Sequence, residues 1–256
     1  MVALVIAECG TYEGGPPAGM ILIPGGWFQM GDPFNEGDPD ERPVHTVVVE
    51  PLYMDVYEVT NEQYQRFDPD ASSSDSVSTH PVEGVSWYDA VRYCNWRSRR
   101  EGLHPCYDET TWACDFGQNG YRLPTEVEWE YAARGGLEGK RYPWGNDISH
   151  DKANYYGTGG KDRWKGTAPV GSFPPNGFGV YDMAGNVWEW CTDGYKARYY
   201  SEAQEGHQEG PQTGIYRVRR GGAWNSDPYA LRCAFRVWQD PTDGSGMGFR
   251  CVRRVP

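Results

Sequence analysis

No uninterrupted apolar run in this sequence approaches the ~18 residues or more that a membrane-spanning helix requires, so no span is predicted. The start, Met1-Val-Ala-Leu-Val-Ile-Ala-Glu8, lacks the basic region and the longer apolar stretch of a signal peptide. With nothing marking export, the cytoplasm is the default location. Basic residues are scarce: 24 Lys and Arg stand against 36 Asp and Glu, a net charge of −12. That balance excludes nucleic acid or an anionic membrane as the main partner, because both need a cationic footprint. The five histidines (45, 80, 104, 150 and 207) form no HxxxH or HExxH pair. The seven cysteines (9, 94, 106, 114, 191, 233 and 251) form no CxxC, and their odd number leaves at least one thiol free. Gly157–Lys161 lacks the spacing of a phosphate loop, and Gly244–Gly248 does not follow a strand and open a helix as a dinucleotide fingerprint would. There is no internal repeat, low-complexity tract or linker, which predicts a loose lead-in over residues 1–18 and a single domain over 19–256.

What is abundant is glycine (33), proline (19), tryptophan (11) and tyrosine (18). Such a chain is rich in turns and relies on large aromatics for core area that short elements could not supply. Short strands are expected within Met20–Gly31, over Val44–Val49 and over Tyr53–Val59. A short capped helix is expected over Thr60–Phe67, then an exposed serine-rich loop over Asp68–His80. Two longer helices are predicted. One is capped by Ser86 with Asp89 and buries Trp87, Ala90, Val91 and Cys94; the other is capped by Thr125 with Glu128 and stops at Gly135-Gly136. Residues 137–215 read as loop and short strand, and loops of that length call for a staple or a function. The class is therefore α+β, with two main helices, short antiparallel strands and little regular structure.

Near the C-terminus, Arg220-Gly-Gly-Ala-Trp224 and Gly248-Phe-Arg-Cys-Val252 bracket a stretch of mixed polar and aromatic residues. That mixture between two rigid anchors suggests a presented binding surface.

Eight motifs in order resemble the formylglycine-generating enzyme (sulfatase-modifying factor) family: Ile23-Pro-Gly-Gly26 with Met30-Gly31, Glu58-Val-Thr-Asn61, Pro81-Val82 with Val85–Ala90, Tyr121–Ala132, Tyr142-Pro-Trp-Gly145, Gly185–Trp190, Arg219-Arg-Gly-Gly222 and Gly248-Phe-Arg250. The resemblance spans about residues 19–254 and implies a C-type-lectin-like fold. It also implies structural Ca²⁺. Asp182 and Glu189 side chains with Gly185 and Val187 carbonyls would form one site, and Asn154 and Asp162 side chains with Tyr155 and Trp164 carbonyls a second. From the residues alone, two carboxylates about a glycine turn make a sensible hard-cation loop. The resemblance further implies a disulfide between Cys94 and Cys251, while Ala133 stands where a partner for Cys233 would be needed. Cys106 and Cys114 could pair, and in a reducing compartment all of these could remain thiols.

Active members of the family bind Cu(I) through two cysteines just after the RGG motif. Here those positions hold Ser226 and Leu231, and neither supplies the soft thiolate that Cu(I) requires. No copper is expected. The resulting expectation is a binding protein whose surface 224–247 contacts a protein or small molecule. Trp188, Trp224, Tyr229, Phe235 and Trp238 would supply contact area, and Asn225, Ser226, Asp227, Gln239 and Asp240 hydrogen bonds. One version is the variable protein of a diversity-generating retroelement. The alternative is an enzyme re-purposed on this fold, with Asp227, Asp240, Tyr229 or Arg236 as the local candidate groups.

Overall fold

The computed structural model describes residues 15–71, 78–202 and 210–256. Cys9, His207, most of the expected lead-in and residues 72–77 of the serine-rich loop lie outside the described residues.

Helices form where side chains close their own first turns. Short α1 (Asn61–Gln65) is capped by Thr60 and Gln63. In α2 (Trp87–Arg100) the Asp89 N–H donates to Ser86 Oγ at 3.1 Å. In α3 (Glu126–Arg134) the Glu128 N–H donates to Thr125 Oγ1 at 3.1 Å and the Thr125 N–H to Glu128 Oε2 at 2.8 Å. Such a reciprocal box satisfies two donors that a helix start would leave orphaned. Gly135 ends α3 at φ 54°, and a Cβ there would lie 2.8 Å from Asn176 and the Gly177 nitrogen, so glycine is required by conformation and by space. A further one-turn helix, α4 (Tyr199–Glu202), forms inside the stretch expected to be loop and strand.

The strands are β1 (Met20–Ile23), β2 (Gly26–Met30), β3 (His45–Val49), β4 (Leu52–Asp55), β5 (Trp188–Gly194), β6 (Arg217–Arg220), β7 (Val237–Gln239), β8 (Met247–Gly248) and β9 (Val252–Arg254). They build sheets in the orders β1-β4-β9, β2-β3 and β7-β6-β5-β8. All pairings are antiparallel except β5 with β8, which is parallel and corrects the expectation of antiparallel strands alone. The strand expected to run to Val59 stops at Asp55, whose carboxylate accepts two bonds from Arg97 and one from the Cys251 N–H.

Helix α2 packs Trp87, Tyr93 and Cys94 against Trp190, Phe249 and Cys251, while α3 packs Trp129 and Ala132 against Ile23, Met54 and Val218. Trp87, Trp129 and Trp190 are fully buried, and each indole N–H finds an acceptor: Cys191 O, Glu189 Oε2 and Val85 O. Buried arginine–carboxylate pairs brace the fold: Arg122–Glu128 locally at the start of α3, and Arg232–Glu41, Arg236–Glu126 and Arg250–Glu189 between distant segments. Losing one member of such a pair costs about 3–5 kcal/mol, because the other charge stays buried alone.

Candidate functional site

The C-terminal stretch leaves β6 through Gly221-Gly222, closes a turn, and forms a 3₁₀ turn over Pro228–Leu231 before entering β7. Ser226 is held inside that first turn: its N–H donates to Ala223 O, and its Oγ accepts from the Ala223 N–H, both at 2.9 Å. Leu231 is 1% exposed and packs with Tyr142, Ala153, Tyr155 and Ala184. The two positions where the family resemblance would place copper cysteines are thus a turn-closing hydroxyl and a core aliphatic.

The aromatic positions divide into two groups. Trp188, Phe235 and Tyr229 form a chain of ring contacts, with centroids 6.0 Å and 5.3 Å apart. Trp224 joins their rim, its indole donating to Glu83 Oε1 at 3.3 Å. Trp238 does not join them. It stands opposite Val218 across β6–β7, whereas Arg219 stands opposite Val237 and Trp190. Side chains alternate along a strand, so Trp238 and Arg219 leave opposite faces. Trp238 packs in a tilted arrangement against Tyr216, ring centroids 4.4 Å apart, and borders a separate groove of about 600 Å³ with Asp38, Arg42, Tyr195 and Arg198. The single surface expected over 224–247 is therefore two surfaces, because strand register decides which side each ring takes.

The polar positions are similarly sorted. Asn225 and Asp227 are exposed. Asp240 is engaged by Thr242, accepting from its N–H at 2.9 Å and its hydroxyl at 2.6 Å. Gln239 donates to Asp243 Oδ2 at 2.7 Å, bracing the loop. Arg236, one of the candidate groups for chemistry, is buried and donates to both oxygens of Glu126 at 2.7 and 2.8 Å. That removes it from the surface, a placement local sequence could not reveal.

Beneath the surface lies a buried cluster of carboxyl groups around Arg250. The Glu189 carboxylate accepts from Arg250 Nε and Nη2 at 2.8 and 2.7 Å and from Trp129 Nε1 at 2.9 Å. Glu58, which sequence reasoning quoted only as part of a motif, accepts from Asn186 Nδ2 at 2.7 Å and the Val187 N–H at 3.3 Å. Burial pushes the Glu58 carboxyl well above its ordinary range, and the charges of Asp182 and Glu189 push it further. Burial raises Asp182 to about 6, against the Gly171 N–H that donates to its Oδ2 at 2.7 Å. Three carboxyl groups here share one guanidinium, Arg250, and the mutual repulsion that raises Glu58 and Asp182 is what a bound cation would relieve. The backbone suits a tight loop, with Asp182, Gly185 and Asn186 at φ 57°, 84° and 66°.

The second implied metal position is also organised. Asp162 is buried and accepts from His150 Nδ1 at 3.0 Å and from the Tyr155 and Trp164 N–H groups at 3.3 Å. Among the described residues Asn154 Oδ1 is buried without a hydrogen-bond partner, while its Nδ2 donates to Gly166 O. An orphaned carbonyl-type oxygen is what a hard cation would use. Among the described residues no group of three or more acidic, histidine or cysteine side chains is placed to hold a metal. Sites built from two side chains and two carbonyls, as implied here, need no such group.

Cys94 and Cys251 are neighbours, as the resemblance implied, but as thiols: their Sγ atoms are 3.6 Å apart, against about 2.05 Å for a bond. Cys106, Cys114, Cys191 and Cys233 are likewise buried thiols.

The model of the sulfatase-modifying factor enzyme 1-like domain matches residues 7–255. The chain belongs to this family. It is 37% identical to the formylglycine-generating enzyme of Streptomyces coelicolor over 98% of this chain and 96% of that protein. It is also 37% identical to the serine/threonine-protein kinase pkn1 of Chlamydia caviae over 92% of this chain, but spans only 38% of that relative's length. Among solved structures, Treponema denticola variable protein 1 superposes with a TM-score of 0.79 at 29% identity, covering 92% of this chain and 94% of that one. The fold is the α+β, C-type-lectin-like fold of this family. No helix among the described residues is long and apolar enough to cross a membrane.

Proposed function

We propose that this chain is a ligand-binding member of its family that does not carry out copper-dependent oxidation. The observation that carries the reading is the state of the two copper positions, a turn-closing Ser226 hydroxyl and a core Leu231, beside a connected aromatic surface of exposed Tyr229 and half-buried Phe235 backed by the buried Trp188 ring. That surface, rimmed by Trp224 and Asn225, takes a protein or small-molecule ligand. Large rigid rings give contact area at little entropic cost.

Selection from a displayed peptide library tests it. Binders recovered on the wild-type chain are expected to be lost with Tyr229→Ala and Phe235→Ala. Conversion of a cysteine to an aldehyde in a CxPxR peptide, with Cu(I) and O₂ supplied, overturns the reading. The version in which a retroelement diversifies residues 225–247 rests on the likeness to the Treponema variable protein. Invariant codons across that stretch, in repeated sampling of one population, overturn it.

Structural Ca²⁺ is part of the same proposal. Asp182 and Glu189 with the Gly185 and Val187 carbonyls, and Asn154 and Asp162 with the Tyr155 and Trp164 carbonyls, would hold it. The mutual repulsion of the carboxyl groups at the first position and the orphaned Asn154 Oδ1 of the second support this.

A further inference from the structure

The arginines of this chain mostly point at acids. Arg97, Arg122, Arg134, Arg220, Arg232, Arg236 and Arg250 all pair with carboxylates inside the protein. Arg219 does not. Its guanidinium lies over the Trp188 ring, 4.4 Å from the centroid, and among the described residues it makes no ion pair. Among the described residues its Nε is buried without a hydrogen-bond partner, and Nη1 reaches the weakly accepting Met247 sulfur at 4.0 Å. Asp243 is the acid whose charge reaches it, but that carboxylate is turned to its own loop, accepting from the Ser245 N–H at 2.9 Å and Gln239 Nε2 at 2.7 Å. Glu83 lies on the Gly246 side of Trp188 and takes the Trp224 indole. Burial lowers the affinity of Arg219 for its proton, yet leaves it a cation.

The Trp188 face and the charge of Asp243 offset only part of the cost of desolvating this half-buried guanidinium, which among the described residues has no hydrogen-bonding anion. It stands over Trp188, the ring that begins the connected aromatic surface. A planar fork of N–H donors beside an aromatic wall is suited to a carboxylate attached to an apolar or aromatic body. We propose that the ligand of this surface presents a carboxylate to Arg219. The inference rests on the binding reading above and runs against the chain's net charge of −12, which alone would favour cationic ligands.

Phenylacetate and phenylacetamide are matched probes, differing in the charge on one group, and saturation-transfer NMR reads their binding. The acid is expected to bind the wild-type chain about ten-fold more tightly than the amide or better. Arg219→Met should abolish that preference and leave amide binding in place, with an unchanged melting temperature. Arg219→Lys keeps the charge and loses the fork, so it should weaken the acid alone; it also serves if the methionine variant does not fold. Equal binding of acid and amide, with both lost in Tyr229→Ala, overturns the carboxylate and leaves the aromatic surface standing. Failure of both probes to bind overturns the surface as well. Inorganic phosphate displacing phenylacetate at lower concentration than acetate does would assign the site to phosphate and overturn the carboxylate.

Discussion

Arg250 donates to both oxygens of Glu189, 2.8 Å from Nε and 2.7 Å from Nη2, within a buried cluster that also includes Glu58 and Asp182. The pair joins β5 to the segment entering β9 and fixes the carboxylate that the family resemblance names as a cation ligand. Glu189→Gln leaves Arg250 buried with half its partner, and should cost about 3–5 kcal/mol in urea unfolding. A loss under about 1 kcal/mol would show that the guanidinium finds another acceptor.

Calcium should stabilise the chain. Adding Ca²⁺ to chelator-treated protein is expected to raise the melting temperature, and Asp182→Asn and Asn154→Ala should each reduce the gain. An unchanged melting curve across Ca²⁺ concentrations, with no metal in elemental analysis, would remove both sites. The increment expected is RT ln(1 + [Ca²⁺]/Kd), about 2.7 kcal/mol at a hundred-fold excess over Kd.

Asp193 gives the chain a pH signature. It is buried, accepts from the Glu126 N–H at 2.8 Å, and is raised from 3.8 to about 7 by burial and then by the Glu126 charge. Its raised folded value means the native state holds a proton the unfolded state releases. The associated stability is present below pH 3.8 and lost as pH rises towards 7. Asp193→Asn keeps an acceptor without charge, so above pH 7 it should stabilise by up to about 4 kcal/mol, with the gain vanishing at acid pH. Equal urea midpoints for variant and wild type at pH 5 and pH 8 would contradict this.

Restoring cysteines should not restore copper. The double variant Ser226→Cys, Leu231→Cys places one thiol in a closed turn and the other within the cluster of Tyr142, Tyr155 and Ala184. It is expected to lose about 1–3 kcal/mol from the core change. Competition with a colorimetric Cu(I) chelator should show no tight site; tight stoichiometric Cu(I) binding would mean the turn opens readily.

Cys94 and Cys251 are placed to bond on oxidation, since their sulfurs already touch at 3.6 Å. A mild thiol oxidant followed by alkylation of the denatured chain should protect these two and leave Cys191 and Cys233 modified. Full alkylation of Cys94 would show that the contact does not close. Burial raises the Cys94 thiol well above its usual value, so the reaction should be slow in the native state.

Local chemistry was readable from the chain. The caps of α2 and α3 were legible because Ser86, Thr125 and Glu128 act on N–H groups three residues away, a distance sequence spells out. The identities of Ser226 and Leu231 argued against a copper-thiolate pair without any coordinates. Tertiary structure decided what depends on pairing between distant segments. Register across β6–β7 sent Trp238 to one face and Arg219 to the other, so a surface contiguous in sequence became two. Long-range ion pairing took Arg236 to Glu126 and Arg250 to Glu189, and left Arg219 over Trp188 without an acid. An arginine's partner is set by where another strand or helix lies, and no spacing along the chain carries that information.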